Sequence, residues 1–353
     1  MGTNRLRKKR TVALSFLCLA AGCAHLHPAI TAPTAAPPAD TAAYYDYPRA
    51  AINPTVELLS EHEGYAIHLV RWPLATADAL SEAERTVEVE WYESSQPGTR
   101  AALLVLPILG GNYPIERAFC RFFSYRGVHC ALVRRRTIKF AATESPEDLE
   151  ALLRRAVVRN RQVIDWLETQ PSVDDARLGL FGISMGGIVG VMTAAVEPRV
   201  KALVAGLAGG SIADILCHTH DSILTRPRAR YLAKQGVTLE ALHRRLTDGI
   251  RTDPLRLAPY VDGHRVLTIM ARLDRTIPRA ERLALWRALG QPETLLLPLG
   301  HYSSIALVPY VATHALRFYR RTLGLPPTTL PRRRGWRQTG VDGIMSADPG
   351  NAP

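Results

Sequence analysis

The residues with the clearest chemical potential are a serine between two glycines, an aspartate and a histidine. Ser184 lies in the sequence Gly182-Ile183-Ser184-Met185-Gly186, after a short apolar run and before small and apolar residues at helical spacing. This pattern predicts a strand that turns sharply into a helix with the serine at the apex. Such a turn leaves no room for side chains at positions 182 and 186, and it exposes the Ser184 hydroxyl beside unpaired helix N–H groups.

An alcohol is a poor nucleophile at neutral pH, so Ser184 needs a base, and the base needs an orienting acid. Asp274 follows the apolar run 266–271, and His301 follows the run 294–297, with Gly300 directly before it. Serine, aspartate and histidine in this chain order are typical of triads assembled on open α/β sheets. The sequence therefore predicts a triad, with a helix-capping or surface role for Asp274 and a structural role for His301 as the alternatives.

The spacing of apolar segments predicts how these residues are positioned. A continuous apolar run at 101–106 and strand-like segments at 128–133, 177–181, 200–205 and 266–271 alternate with segments of helical periodicity. This alternation predicts an α/β fold with a mostly parallel central sheet and helices on both faces. The earlier runs 65–72 and 86–92 are expected to be antiparallel strands at one edge. In such a sheet, function lies at the carboxyl ends of the strands, where the three candidate residues occur.

The elbow, the Asp274 loop and the His301 loop together resemble the α/β-hydrolases, in the branch of dienelactone hydrolases and acetyl xylan esterases. The resemblance covers about residues 56–323 and implies that Ser184 is the nucleophile, Asp274 the acid and His301 the base. It also implies an oxyanion hole with one donor at the Met185 N–H. The second donor comes from the loop after the strand 101–106, where Pro107-Ile108 replaces the family's usual His-Gly. Leu109, followed by Gly110, is the candidate for that donor.

The amino terminus predicts export. Residues 1–22 have a basic start and a short apolar run, as in a signal peptide, and Leu19-Ala20-Ala21-Gly22-Cys23 resembles a bacterial lipobox. Cys23 is then the lipidated residue, and the expected location is a membrane surface facing the periplasm. Ala24 is not a retention acid, which favours the outer membrane in a Gram-negative source. The alternative is an ordinary signal peptide with an incidental Cys23.

Composition predicts four regions along the chain. After the signal peptide at 1–22, residues 23–55 are rich in Ala and Pro and read as a tether, whose tyrosines at 44, 45 and 47 are candidates for packing onto the domain. Residues 56–325 are the hydrolase domain, with a helical cap inserted at about 210–263. Residues 326–353 are predicted to be a disordered tail.

The remaining polar features favour ordinary structural roles. The formal charge of +12 includes five basic residues among the first ten, and no nucleic-acid-binding motif accompanies it. The run at 134–136, three arginines, is expected to be solvated, with attraction of an anionic substrate as the alternative. His218 and His220 are expected to line a pocket or face solvent rather than bind a metal. Cys120 and Cys130 are close enough in the predicted fold to pair, but buried free thiols are favoured.

These observations predict an exported, lipid-anchored serine hydrolase that cleaves an ester through an acyl-enzyme on Ser184. No cofactor, metal or nucleic acid is expected, and the substrate is a small molecule or an acylated compound. A peptidase, amidase or thioesterase on the same triad is the alternative within enzymes. A catalytically silent envelope lipoprotein is the alternative outside them.

Overall fold

The computed structural model describes residues 23–26, 36–76, 84–135 and 145–326, which contain one ten-stranded sheet. The predicted signal peptide at 1–22 and nearly all of the predicted tail lie outside these residues. The strands are β1 Ala24–Leu26, β2 Thr55–His62, β3 Tyr65–Pro73, β4 Thr86–Ser94, β5 Arg100–Leu106, β6 His129–Arg134, β7 Val173–Ile183, β8 Val200–Gly206, β9 Val266–Ala271 and β10 Glu293–Leu297.

The strand order is β1-β10-β9-β8-β7-β5-β6-β4-β3-β2. The six strands from β10 to β6 pair in parallel, whereas β2, β3, β4 and β1 join the two edges in antiparallel pairs. The predicted parallel sheet with antiparallel strands at one edge is therefore confirmed. Because the central strands run the same way, β5, β7, β9 and β10 all end at one edge of the sheet.

The helices are α1 Ala39–Ala43, α2 Pro114–Ser124, α3 Pro146–Glu168, α4 Met185–Val196, α5 Ile212–His218, α6 Ser222–Gln235, α7 Leu239–Gly249, α8 Pro254–Leu257, α9 Arg279–Ala288 and α10 Val308–Leu323. Helices α3, α4 and α9 bury their apolar side chains in one core cluster, and α2 and α10 bury theirs in a second cluster. The two clusters cover opposite faces of the sheet, as the continuous apolar strands predict. Among the described helices, none has the length and apolar character needed to cross a bilayer.

The region between β8 and β9 forms four helices, α5 to α8, within the stretch predicted as a cap. Their start positions are capped by side chains: Ser211, Asp221, Thr238 and Asp253 each accept a hydrogen bond from a backbone N–H of the first turn. Ile212 and Ile215 of α5 are buried against the main domain. Helix α5 therefore attaches this group of helices to the main domain.

The described parts of the segment predicted as a tether, 23–26 and 36–55, contact the domain, as expected for its tyrosines. Residues Ala24–Leu26 pair with β10, and Tyr45 is only 1% exposed in the core cluster beneath α3. The Tyr45 hydroxyl donates to Thr252 Oγ1 at 3.0 Å, and Arg161 Nη1 donates to the Tyr45 carbonyl at 2.6 Å. A composition rich in Ala and Pro does not reveal these contacts, because they depend on partners more than a hundred residues away.

The cysteines of the domain are buried free thiols, which confirms the favoured interpretation. Cys120 on α2 and Cys130 on β6 lie in the second core cluster. Burial raises the pKa of the Cys120 thiol well above its usual value, and the hydrogen bond with Cys130 raises it further. The Cys120 side chain therefore acts as a small apolar core residue at ordinary pH.

The buried tyrosine gives a test of how the segment before the domain contributes to stability. We expect Tyr45→Ala to lower the free energy of unfolding by about 3 kcal/mol or more, because it opens a cavity and leaves polar partners unpaired. Tyr47→Ala is the matched control with a smaller expected loss, since Tyr47 is only partly buried. Urea unfolding followed by tryptophan fluorescence measures both. Equal, negligible losses would contradict the observed packing.

Candidate active site

The turn between β7 and α4 places Ser184 at the edge of the sheet. Ser184 has φ 55° and ψ −121°, a conformation that side-chain-bearing residues rarely adopt. A Cβ atom at Gly182 would lie 2.2 Å from the Gly186 carbonyl carbon, and one at Gly186 would lie 2.3 Å from the Leu106 oxygen. The steric need for two glycines, which the sequence predicts, is therefore met by the close passage of backbone against backbone.

The structure brings the three predicted residues together. His301 Nε2 lies 3.0 Å from Ser184 Oγ, and His301 Nδ1 lies 2.9 Å from Asp274 Oδ2. A carboxylate only accepts hydrogen bonds, so the proton of His301 lies on Nδ1 and Nε2 is free to accept from the Ser184 hydroxyl. This is the arrangement in which a serine can be deprotonated by its neighbour.

Asp274 is held in place by the loop that it begins. Its side chain is fully buried, and Oδ1 accepts the backbone N–H groups of Thr276 at 2.8 Å and Ile277 at 3.0 Å. Only Oδ2 therefore remains for the histidine. Asp274 thus organises its own turn as well as orienting His301, so the capping alternative describes part of its role.

The histidine loop is fastened to the aspartate loop. The Leu273 N–H donates to the Leu299 carbonyl at 3.0 Å, and a Cβ atom at Gly300 would lie 3.2 Å from the Leu273 oxygen. Ser304 Oγ donates to the Gly300 carbonyl at 2.7 Å. The Asp274–His301 distance therefore depends on direct contact between the two loops as well as on the strands that carry them.

The predicted oxyanion residues line the same cavity as Ser184. Met185 begins α4, while Leu109 and Gly110 follow β5. Within the described part of the chain, no acceptor is hydrogen-bonded to the N–H of any of these three residues. Their availability fits the predicted role, and the assignment of the second donor to Leu109 or Gly110 stays a prediction.

Two charged side chains that the sequence did not single out for this purpose shape the oxyanion loop. Glu116 Oε1 accepts a hydrogen bond from the Ile108 N–H at 2.6 Å, so this N–H is not available as an oxyanion donor. Arg135 Nη2 donates to the Ile108 carbonyl at 2.7 Å and to the Pro107 carbonyl at 3.4 Å. Both peptide groups of the unusual Pro107-Ile108 pair are thus held by side chains.

The prediction that the arginine run is solvated is wrong for Arg135. Its guanidinium is enclosed beside the loop, and burial lowers its pKa to about 10. Arg134 instead lies near the carboxylates of Glu88 and Glu90, and Arg136 lies outside the described residues. The position of Arg135 in the sequence could have indicated its contact with the loop after β5. Arg135 directly follows β6, which is the neighbour of β5 and ends at the same sheet edge.

A cavity of about 700 Å³ opens onto Ser184 and His301. Its walls are mostly aliphatic side chains from α2, α3, α10 and the cap helix α5. The polar side chains at its surface are Ser184, Thr276, His301, Tyr302 and Ser304. Ser184 and His301 are therefore among the few polar groups that line a mostly apolar cavity.

A second cluster of titratable side chains lies on the cap. Asp214 and His218 of α5 and His243 of α7 place one ligand atom each within 4.8 Å of one another, which is compact enough for a metal ion. His243 Nε2 lies 2.7 Å from Asp214 Oδ1, and His218 Nδ1 lies 3.6 Å from the same oxygen. His220 does not belong to this cluster, because α5 ends at His218 and His220 lies in the segment that follows it.

Comparison with solved structures supports the fold. Acetyl xylan esterase 1 from Thermoanaerobacterium sp. JW/SL YS485 aligns with a TM-score of 0.60 over 83% of this chain and 96% of that chain, at 16% identity. The acetyl xylan esterase of Paenibacillus sp. R4 aligns with a TM-score of 0.60 over 80% and 92%, at 15% identity. The chain has the α/β-hydrolase fold. At this low sequence identity the similarity shows the fold alone. The triad distances given above are those observed in this chain.

Sequence comparisons match only part of the chain. Residues 156–291 match the sequence model of the X-Pro dipeptidyl-peptidase (S15) family, a range that contains Ser184 and Asp274 but ends before His301. An uncharacterized protein of Mycobacterium tuberculosis is 27% identical over 148 residues, which is 42% of this chain. The chain matches only 33% of that relative's length.

The contacts of Arg135 predict a positioning role for this side chain. We expect Arg135→Met to slow the reaction of Ser184 with a fluorophosphonate about tenfold, because the loop that carries Leu109 and Gly110 loses its anchor. The time course of labelling in the folded protein gives this rate.

Arg134→Met is the matched control, since Arg134 pairs with strand carboxylates away from the loop. Circular dichroism confirms that each variant is folded at the assay temperature. Equal labelling rates for the two variants would contradict the positioning role.

Proposed function

We propose that this protein is a serine hydrolase that cleaves a carboxylic ester through an acyl-enzyme formed on Ser184. The observation that carries the proposal is the continuous hydrogen-bonded chain from Ser184 Oγ through His301 to a fully buried Asp274. A chain of this kind is what a serine needs to act as a nucleophile at neutral pH. An apolar cavity with few polar groups also suits a neutral ester.

The geometry supports a two-step reaction. Ser184 Oγ attacks the ester carbonyl carbon while its proton passes to His301 Nε2, and the carbonyl oxygen becomes an oxyanion. The N–H groups of Met185 and of Leu109 or Gly110 stabilise that charge. His301 then donates the proton to the departing alcohol as the carbon–oxygen bond breaks. Water attacks the acyl-enzyme, gives a proton to His301, and releases the carboxylic acid as Ser184 is restored.

A peptidase is the second candidate because the S15 family model matches residues 156–291. A dipeptidyl-peptidase must hold the ammonium group of its substrate, and a carboxylate is the usual partner for such a group. Among the described residues, no Asp, Glu, Lys or Arg lines the cavity at Ser184. This favours an ester over a peptide with a free amino terminus, while an amidase or thioesterase reaction on a neutral substrate would use the same triad.

The nucleophile is tested by labelling and by turnover together. We expect a fluorophosphonate to modify Ser184, identified by peptide mass spectrometry, and Ser184→Ala to lower ester hydrolysis by about 10⁴-fold or more. Ser60→Ala, on the edge strand β2, is the control and keeps full activity. A folded protein in which Ser184 is not labelled and no ester is cleaved would favour the catalytically silent alternative.

The choice between ester and peptide bonds needs a separate comparison. p-Nitrophenyl esters and X-Pro p-nitroanilides report the two reactions with similar leaving groups. We expect turnover of the esters together with an acyl adduct on Ser184 that is visible by intact mass after acid quenching. Turnover of the anilides alone would support the peptidase instead.

We also propose that the protein is exported and anchored to a membrane through a lipid on Cys23. The lipobox-like sequence 19–23 supports this proposal. Cys23 lies next to β1, which pairs with the sheet edge, so a lipid there would hold the domain close to the membrane. The pairing also leaves Cys23 partly exposed beside Tyr310.

Membrane anchoring predicts a simple fractionation result. We expect Cys23→Ser to move the protein from the membrane fraction to the soluble fraction and to abolish incorporation of radiolabelled palmitate, because the thiol is the attachment point. Cys18→Ser, within the predicted apolar leader, is the matched control and should keep both properties. Unchanged membrane association of Cys23→Ser would contradict lipidation at this residue.

A further inference from the structure

We infer that the substrate carries a long apolar acyl chain, which occupies the cavity at Ser184 and enters it from a lipid surface. This inference rests on the proposed ester hydrolysis and adds the chemical class of the substrate. The fatty acid is then the product that Ser184 releases, and the alcohol leaves first. Three properties of the cavity carry the inference: its size, its lining and its mouth.

The cavity is far larger than a short acyl group requires. Its volume is about 700 Å³. A water molecule takes up about 30 Å³ in the liquid, so an acetyl group of three heavy atoms would fill only about a tenth of this space. Volumes of several hundred cubic ångströms are typical of pockets that enclose whole drug-sized ligands. A substrate that fills the cavity therefore extends well beyond the reacting carbonyl.

The lining draws on both core clusters, and we call the wall that each cluster contributes a lobe. Residues of the first core cluster line the lobe beneath the cap: Leu149, Leu153, Ile188, Ile212, Ile215 and Ile277. Residues that belong to or pack against the second cluster line the other lobe: Ile115, Phe119, Ile269, Leu297, Val308 and Val311. Methylene groups are the ligand chemistry that such walls favour.

The described lining of the cavity disfavours large substrates that are polar or charged. Within the described residues, the cavity lining contains no carboxylate, ammonium or guanidinium group. A sugar would need several hydrogen-bond partners, and a charged substrate would lose its hydration without compensation. The polar side chains lie with Ser184 near the reacting bond and the mouth, so polar groups of the substrate are expected there and the remainder is hydrocarbon.

The mouth of the cavity is apolar on its outer side as well. Ile223 of α6, Tyr302 and Ile305 line the cavity and are 53%, 59% and 54% exposed. Leu273, whose backbone N–H donates to Leu299 in the loop that carries His301 and Tyr302, is 68% exposed. These four make up half of the eight large apolar side chains that are exposed among the described residues. We call this set the apolar rim.

The apolar rim is held in place by a polar network. Asp221, at the start of α6, accepts hydrogen bonds from Tyr302 at 2.5 Å and from Thr276 Oγ1 at 2.7 Å. These bonds join the cap to the loop that follows His301. An exposed apolar rim around an apolar cavity is a surface that lipid can wet, so a chain can pass from an aggregate into the cavity without crossing water.

The first experiment measures chain-length dependence with p-nitrophenyl acetate, octanoate and palmitate. Each methylene buried is worth about fourfold in transition-state binding, so we expect kcat/KM to rise at least 100-fold from acetate to octanoate. Hydrolysis of acetate with no such rise overturns the inference and leaves the proposed function intact. Hydrolysis of no ester, with no fluorophosphonate label on Ser184, overturns the proposed function itself.

Variants that fill the cavity separate chain binding from general damage. Ile215→Trp and Val311→Trp each occupy one lobe, and we expect at least one of them to lower the octanoate-to-acetate ratio tenfold or more. Acetate turnover and the fluorophosphonate labelling rate report on the integrity of the triad in both. An unchanged ratio in two folded variants overturns the inference.

A rim variant tests entry from a lipid surface. We expect Leu273→Asn to lower hydrolysis of a long-chain ester in phosphatidylcholine vesicles severalfold more than hydrolysis of monomeric octanoate. Leu58→Asn is the matched control, because Leu58 is 54% exposed on the edge strand β2, away from the cavity. Equal losses on the two substrates for Leu273→Asn would overturn entry across the apolar rim.

Discussion

The site depends on a close passage of backbone at the turn between β7 and α4. Gly182 and Gly186 lie so near each other, and Gly186 so near Leu106, that no Cβ atom fits at either position. This contact holds Ser184 at a positive φ, a conformation that costs about 1–3 kcal/mol for a residue with a side chain. Packing between the ends of β5 and β7 offsets this conformational cost. The turn places the Ser184 hydroxyl at the cavity, beside the first N–H groups of α4.

The rest of the chemistry is arranged by loops that constrain one another. Asp274 uses one carboxylate oxygen for its own turn and the other for His301, while Leu273 bonds to the loop that carries the histidine. On the other side of Ser184, Glu116 and Arg135 bind the peptide groups of Pro107 and Ile108. A charged residue enclosed among apolar groups is costly unless its hydrogen bonds are made. Arg135 Nη2 donates to the carbonyl groups of Pro107 and Ile108, whereas Arg135 Nε is buried without a partner among the described residues.

Reaction and specificity are carried by different parts of the molecule. The triad stands on the central strands, whose order and direction are common to the α/β-hydrolase fold. The cavity walls come from α2, α3, α10 and the cap, so the same reacting groups could serve another substrate if these helices changed. The apolar lining and the exposed rim belong to this second part, and they are the reason for relating the site to acyl chains rather than to sugars.

The amino-acid sequence by itself determined the sheet type, the triad and the two glycines, because each is visible in a local pattern. Apolar periodicity gives the sheet type, and the chain order of residues at strand ends gives the triad. The tight turn around Ser184 requires residues without side chains at 182 and 186. Tertiary structure decided what depends on distant partners. Residue composition could not show that Tyr45 reaches Thr252, nor that Arg135, in a run that reads as solvated, turns onto Pro107 and Ile108. The cavity is the clearest case, since its walls come from segments between 108 and 311 whose meeting no local pattern encodes.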